Sequence, residues 1–197
     1  MEHNYIEEIA AFQPSNEQEE SDQRAILWYL SQFGDEVLTR SNVIAHLTSS
    51  GFIMNPSLDR TLMVHHNILG AWAWTGGHTD GDADLLGVAV REAKEETGVQ
   101  HIAPLSPQIA SLDVLWVPGH VKRGAYVSVH LHLSVGYVLI CGEDEAVRVK
   151  PDENTDVRWF DVEDLKAPLV LKDDEYLYGK LAAWARRQRG GMSPITS

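Results

Sequence analysis

Residues 76–99 read GGHTDGDADLLGVAVREAKEETGV, a glycine- and aspartate-rich stretch that runs directly into a charged, helix-prone one. From residue 85 the spacing of apolar positions has a helical period, and Gly98 stands where a left-handed cap commonly ends a helix. The pattern predicts a helix over 85–97. Each residue turns a helix by about 100°, so Glu92, Glu95 and Glu96 share an arc of about 100°, while Leu86, Val90, Ala93 and Thr97 fall within about 60° on the inward side. Three like charges on one face repel by a few tenths of a kcal/mol per pair. Lys94 projects elsewhere, and Arg91 can pair with one of the three. A hard cation with oxygen ligands, Mg²⁺ or Mn²⁺, turns this repulsion into binding; the alternative is a solvated acidic face. Gly76 and Gly77 permit close backbone approach to a ligand, and the helix N-terminus offers free N–H groups to an anion. Asp80, Asp82 and Asp84 alternate as in a calcium-binding EF-hand loop, which requires Gly at 85 and Glu at 91. Leu85 and Arg91 stand there instead, and exclude that loop.

Outward from this stretch, residues 1–34 read as helical, with Ser15-Asn16-Glu17-Gln18 as a cap signal and Ile26, Leu27, Leu30 and Phe33 at helical spacing. β texture begins near Val43, with 49–54 and 61–65 flanking a hairpin-type turn at 55–60. A short strand at 71–74 runs into a loop over 76–84. After the helix, strands are expected at 108–117, 126–141 and 157–160. Asp161 can cap a short helix through Leu165, and 173–189 reads as a last helix. The order predicts an α+β arrangement, a mixed sheet covered by helices, with residues 1–44 as a helical extension and 45–197 as the principal domain.

The chain has 197 residues, a length suited to one domain with an appended segment. Lys and Arg number 16 against 29 Asp and Glu, for a formal charge of −13. That balance argues against a nucleic-acid polymer or an anionic membrane surface as partner, since both are held by Lys and Arg. An anionic substrate therefore needs a local reversal of field, which a divalent cation supplies. Cys141 is the one cysteine, which rules out an intrachain disulfide. The opening residues lack a basic flank followed by an apolar run, and no stretch approaches the roughly 20 apolar residues of a membrane helix. The expectation is a cytoplasmic protein.

Residues 77–99 resemble the Nudix box: Gly, five residues, Glu, seven residues, then Arg-Glu-apolar-any-Glu-Glu-any-Gly-apolar. Gly77 begins it and Arg91-Glu92-Ala93-Lys94-Glu95-Glu96-Thr97-Gly98-Val99 completes it in register. The resemblance extends over about residues 45–168, because VRWFDVEDL at 157–165 is similar to the strand and helix that close such domains. It implies an α/β/α sandwich with a mixed sheet and a pyrophosphohydrolase activity, water attacking phosphorus in a nucleoside diphosphate linked to another group. It also implies that Glu92, Glu95 and Glu96, with the Gly77 carbonyl, hold Mg²⁺ or Mn²⁺. The general base is then one of the box glutamates or Glu153. One position departs from the family: Ala83 replaces the first glutamate, which in the family braces the arginine. Asp82 or Asp84 can supply that carboxylate to Arg91 instead.

The remaining substrate contacts carry two readings each. Lys122 and Arg123, in the loop 118–124, clamp phosphate or simply face solvent. Trp72, Trp74 and Trp116 stack on a base or belong to the core. His78, inside the box, meets phosphate or metal, whereas His130 and His132 share one strand face as a structural pair. Residues 1–44 pack over the domain edge, gate the pocket or make a homodimer contact. Two other activities fit a Nudix-like chain. An isomerase of the isopentenyl diphosphate type needs an active-site cysteine where Gly76 and Gly77 stand, and a non-catalytic sensor usually lacks box glutamates that are present here.

Overall fold

The computed structural model describes residues 4–122 and 124–191. Two helices open the chain, α1 (Tyr5–Ala11) and α2 (Glu17–Phe33), followed by a 3-10 turn at Gly34–Leu38. Asn16 caps α2 by accepting the Glu19 N–H at 3.0 Å, within the cap signal read from sequence. The strands β1 (Ala45–Met54), β2 (Arg60–His66), β3 (Ala71–Ala73) and β4 (Thr75–His78) precede the box helix α3, at Leu85–Thr97. Then follow β5 (Ile102–Pro104), β6 (Ser111–Val117), β7 (His120–Lys122), β8 (Ala125–Val127), β9 (His130–Cys141), β10 (Asn154–Asp161), a 3-10 turn at Val162–Asp164 and α4 (Asp174–Gly191). Among the described residues, no helix is long and apolar enough to cross a membrane.

β1 is the axis of the sheet. It pairs in parallel with β9 over ten positions, from Ala45 with Leu131 to Met54 with Ile140. On its other side, antiparallel β4 occupies the middle, from Thr48 to Gly51, and β2 takes the end at Ile53 and Met54. β9 likewise divides its outer edge between β6 and β5. Alternate residues of β1 face opposite ways. Ala45, Leu47 and Ile53 join a core with α1, α2 and α3, whereas Phe52 and Met54 join a second core with Leu177, Tyr178 and Leu181 of α4. Helices therefore cover both faces of a mixed sheet, as the resemblance implied.

The glycines at 76 and 77 are strand residues and not loop, because β1 pairs with them (Ser50 with Gly76, Ser49 with Gly77). Local composition reads them as a turn, and a backbone ladder overrides it. The run 126–141 is interrupted between β8 and β9, and β7 with β8 forms a separate two-stranded hairpin. Asp161 stands at the N-terminus of the 3-10 turn, where its side chain makes no capping bond.

The N-terminal helices are bound to the domain by buried charge as well as by apolar packing. Lys180 on α4 lies 3.1 Å from Glu19 on α2 and 2.5 Å from Asp113 on β6, and the three side chains are 7%, 1% and 6% exposed. Gln18 accepts from Lys180 at 3.1 Å and donates to Asp113 at 3.3 Å. Ser15 donates both its N–H and its hydroxyl to Glu19.

Candidate active site

The box helix is set by its ends. Asp84 caps it, accepting the Gly87 N–H at 2.9 Å, and Gly98 closes it at φ +81° in the left-handed region that suits glycine. The helix is anchored to β1 where Ser49 Oγ donates to the Leu85 carbonyl at 2.6 Å. Against this helix runs β4, and the approach is so close that a Cβ on Gly77 would stand 2.6 Å from Glu92 Cδ. Glycine at 77 thus admits the Glu92 carboxylate itself.

The helix brings Glu92 and Glu96 together, and the loop before β10 brings Glu153 to them. One carboxylate oxygen from each of the three lies within 4.8 Å of the others. Glu96 is 5% exposed. Burial, then the nearby Glu153 and Glu92, push its carboxyl well above the usual range, against a stabilising N–H from Gly76. Burial raises Glu92 as well, and Glu95 adds to the effect. Glu95 is 48% exposed at the side of this group and pairs with Lys150 at 3.1 Å; Lys150 also pairs with Glu153 at 3.1 Å. Burial alone would lower the Lys150 ammonium, but hydrogen bonds to Glu153 and Glu95 outweigh it and raise it. Asn154 fixes the loop by donating to the Glu96 carbonyl at 2.9 Å and accepting the Lys150 N–H at 3.2 Å.

Arg91 reaches Asp82 at 3.2 Å and lies 3.8 Å from Glu92. Of the two carboxylates that sequence offered it, the geometry selects Asp82, while Asp84 is engaged as the helix cap. Asp80, at φ +47°, is paired with Arg40 through two hydrogen bonds of 2.9 and 2.7 Å. The alternating aspartates thus hold the loop: one ties it to the N-terminal segment, one to Arg91 and one to the helix. An Ala83→Glu variant is expected to keep turnover close to that of the parent, because Asp82 already holds Arg91. A large gain in steady-state rate would show that it does not.

The other residues singled out from sequence lie apart from the carboxylates. His78 follows Gly77 on β4 and points to the opposite sheet face, since alternate strand residues do. Trp74 packs on the α4 side, its backbone N–H donating to the Tyr178 hydroxyl at 3.2 Å. Trp72 lies edge-on to Phe160 at 4.7 Å, and Trp116 is exposed. Lys122 belongs to the β7–β8 hairpin, and Arg123 lies outside the described residues. Cys141 is buried, its thiol pushed up to about 11 by burial. Lys150 escaped sequence reasoning: nothing marks one lysine in a loop until the chain brings it to Glu95 and Glu153.

The NUDIX domain model matches residues 45–181. The chain belongs to the Nudix family, and the class of enzyme that this family and fold define is the pyrophosphohydrolase. Among solved structures, a NUDIX-family hydrolase from Clostridium perfringens is 21% identical over 70% of this chain and 96% of its own, with TM-score 0.52. A C. elegans Ap4A hydrolase, solved as a binary complex, is 15% identical over 73% of this chain and 98% of its own, also at 0.52. A MutT protein from Methanosarcina mazei Go1 is 16% identical over 75% and 98%, at 0.50. These likenesses are of fold. No curated protein matches the chain by sequence.

Proposed function

We propose that the protein hydrolyses a diphosphate bond in a nucleoside diphosphate linked to another group, by attack of water on phosphorus, with Mg²⁺ or Mn²⁺ held at the carboxylate cluster. The observation that carries this reading is the meeting of Glu92, Glu96 and Glu153 within 4.8 Å beside the Gly77 strand. An all-oxygen, partly buried donor set suits a hard divalent cation, and burial together with neighbouring carboxylates raises Glu92 and Glu96. Glu92, Glu96 and Glu153 would hold the ion, with the Gly77 carbonyl alongside. Bound there, it would neutralise the diphosphate and stabilise the leaving group.

The chain's own groups do the rest. Arg91, braced by Asp82, steadies Glu92. Lys150 is the ammonium that an arriving phosphate would meet, and its transfer from Glu95 to the phosphate would free the Glu95 carboxylate to take the proton from water. The substrate is a small molecule, since the net charge of −13 disfavours a polymeric polyanion, and the protein works in the cytoplasm.

The test is phosphate and mononucleotide release from a panel of ADP-ribose, dinucleoside polyphosphates, oxidised nucleotides and nucleotide sugars, with and without Mg²⁺ or Mn²⁺. The named substrate of the C. elegans neighbour supports including dinucleoside polyphosphates. Turnover of at least one compound, dependent on the metal, is expected; silence across the panel in both metals would favour a ligand sensor. With a substrate in hand, Glu95→Gln is expected to lower kcat by about 10²–10⁴-fold, the ordinary contribution of a positioned base. An unchanged kcat would assign the proton to another carboxylate.

A further inference from the structure

On the sheet face turned away from α3, four imidazoles converge. His46 and His132 are register partners on the parallel strands β1 and β9, and Thr48, two residues along β1, is opposite His78 on β4. His130 lies two residues from His132. Alternate strand residues share a face, so all four project together, opposite to Gly77 and Glu92. Their ligand nitrogens lie within 4.8 Å of one another, and five of the ring pairs have centroids 4.9 to 5.3 Å apart.

Apolar packing does not account for this group. His46 and His130 are 5% and 7% exposed, and the Nε2 atoms of His46 and His132 are buried without a hydrogen-bond partner. A buried polar atom left unpaired is costly, and here two such atoms stand among the same four rings. For His46 and His130 the other ring nitrogen is held by the backbone. His46 Nδ1–H donates to the Asn42 carbonyl at 3.0 Å, and His130 Nδ1–H donates to the Ser128 carbonyl at 2.9 Å. A backbone carbonyl at Nδ1 leaves Nε2 as a bare lone pair, the tautomer in which metal-ligating histidines are held.

We propose that His46, His78, His130 and His132 bind one transition-metal ion, Zn²⁺ by preference, at a site separate from the carboxylate centre. Four imidazole nitrogens select a borderline ion over Mg²⁺, whereas the oxygens of Glu92, Glu96 and Glu153 select the reverse. Nitrogens around tetrahedral Zn²⁺ stand about 3.4 Å apart, so the rings need close in by about 1 Å or less. The ion would cross-link β1, β4 and β9, and β4 is the strand that carries Gly77 against Glu92. Zinc on one face would thereby stiffen the strand that shapes the carboxylate site on the other.

The experiment uses the full chain without a histidine tag. It is stripped of metal, dialysed against Zn²⁺ in excess Mg²⁺, and its metal content measured; Co²⁺ is then substituted as a visible-absorption probe. One equivalent of Zn²⁺ is expected in the parent and in Glu92→Gln, with the intense d–d bands of four-coordinate Co²⁺. His130→Asn is expected to weaken Zn²⁺ binding by at least about tenfold. Retention by His130→Asn together with loss in Glu92→Gln would assign the zinc to the carboxylates and overturn the proposal, as would no retention by the parent. X-ray absorption at the zinc edge of the parent needs no variant: an imidazole nitrogen shell supports the site, and a carboxylate oxygen shell refutes it. Both readouts are independent of turnover, so they stand or fall apart from the proposed hydrolysis.

Discussion

Glu96→Gln is expected to lower turnover by about 10²–10⁴-fold and, without metal, to make the protein more stable at neutral pH. The first effect follows from removing one anionic donor from the carboxylate cluster: metal-ion stabilisation of developing charge is worth several kcal/mol, at 1.36 kcal/mol per decade of rate. The second follows from the direction of its titration. Glu96 is buried among carboxylates, so its folded-state value lies well above that of the unfolded chain. Between those two values the folded protein holds a proton that the unfolded chain has released, so stability falls as pH rises through the interval. Below the ordinary carboxylate range both states are protonated and the penalty vanishes. Glutamine stays neutral throughout. Metal-free Glu96→Gln should therefore melt above the parent at pH 7–8 and converge with it toward about pH 4. Mg²⁺ should raise the midpoint of the parent and leave that of the variant nearly unmoved. Scanning calorimetry at two pH values, with and without Mg²⁺, reads all of this. A variant that turns over at the parental rate would remove Glu96 from the site.

The second large effect lies far from the chemistry. Lys180→Met leaves Glu19 and Asp113 buried together with no cation between them, and removing one member of a buried ionic group costs about 3–5 kcal/mol. Total stability of a domain is about 5–15 kcal/mol, so the variant stands near its unfolding limit. For a chain of this size the midpoint should fall by roughly 6–20 °C. A triple variant, Lys180→Met with Glu19→Gln and Asp113→Asn, should recover most of the loss, because an uncharged group of similar volume avoids the unpaired buried charges. A single variant that melts with the parent would show that water reaches the triad and that α2 is held by apolar packing alone.

The box and its helix were legible because their signal is local. Apolar spacing, Asp84 as cap and Gly98 as stop lie within one segment, and together they place α3 at Leu85–Thr97, the bounds read from sequence. The partners of that helix were not legible in the same way. The three glutamates on its arc suggested one cluster, yet the chain closes Glu92 and Glu96 with Glu153 and turns Glu95 toward Lys150. That choice depends on a loop some 60 residues away, fixed by Asn154 on the Glu96 carbonyl, and no periodicity encodes it. Gly76 and Gly77 misled for a related reason. Their composition signals a turn, while their pairing with β1 makes them strand. The histidines show the same limit: the pair at 130 and 132 was visible as one strand face, but His46 and His78 join it through register with two other strands. Of the loop aspartates, Asp82 or Asp84 was legible as a partner for Arg91 and Asp82 meets it, whereas the pairing of Asp80 with Arg40, 40 residues earlier, has no local signal.

The contact between Glu19 and Lys180 also sets an order of events in the cell. Its partners are 161 residues apart in the chain. At 5–20 residues synthesised per second, α2 leaves the ribosome roughly 8–32 s before the helix that neutralises it. The core that Ile26 and Leu30 enter has its last buried member at Val157, so their apolar partners are all made before Lys180 is. The Glu19 carboxylate alone has to stay in water until α4 follows.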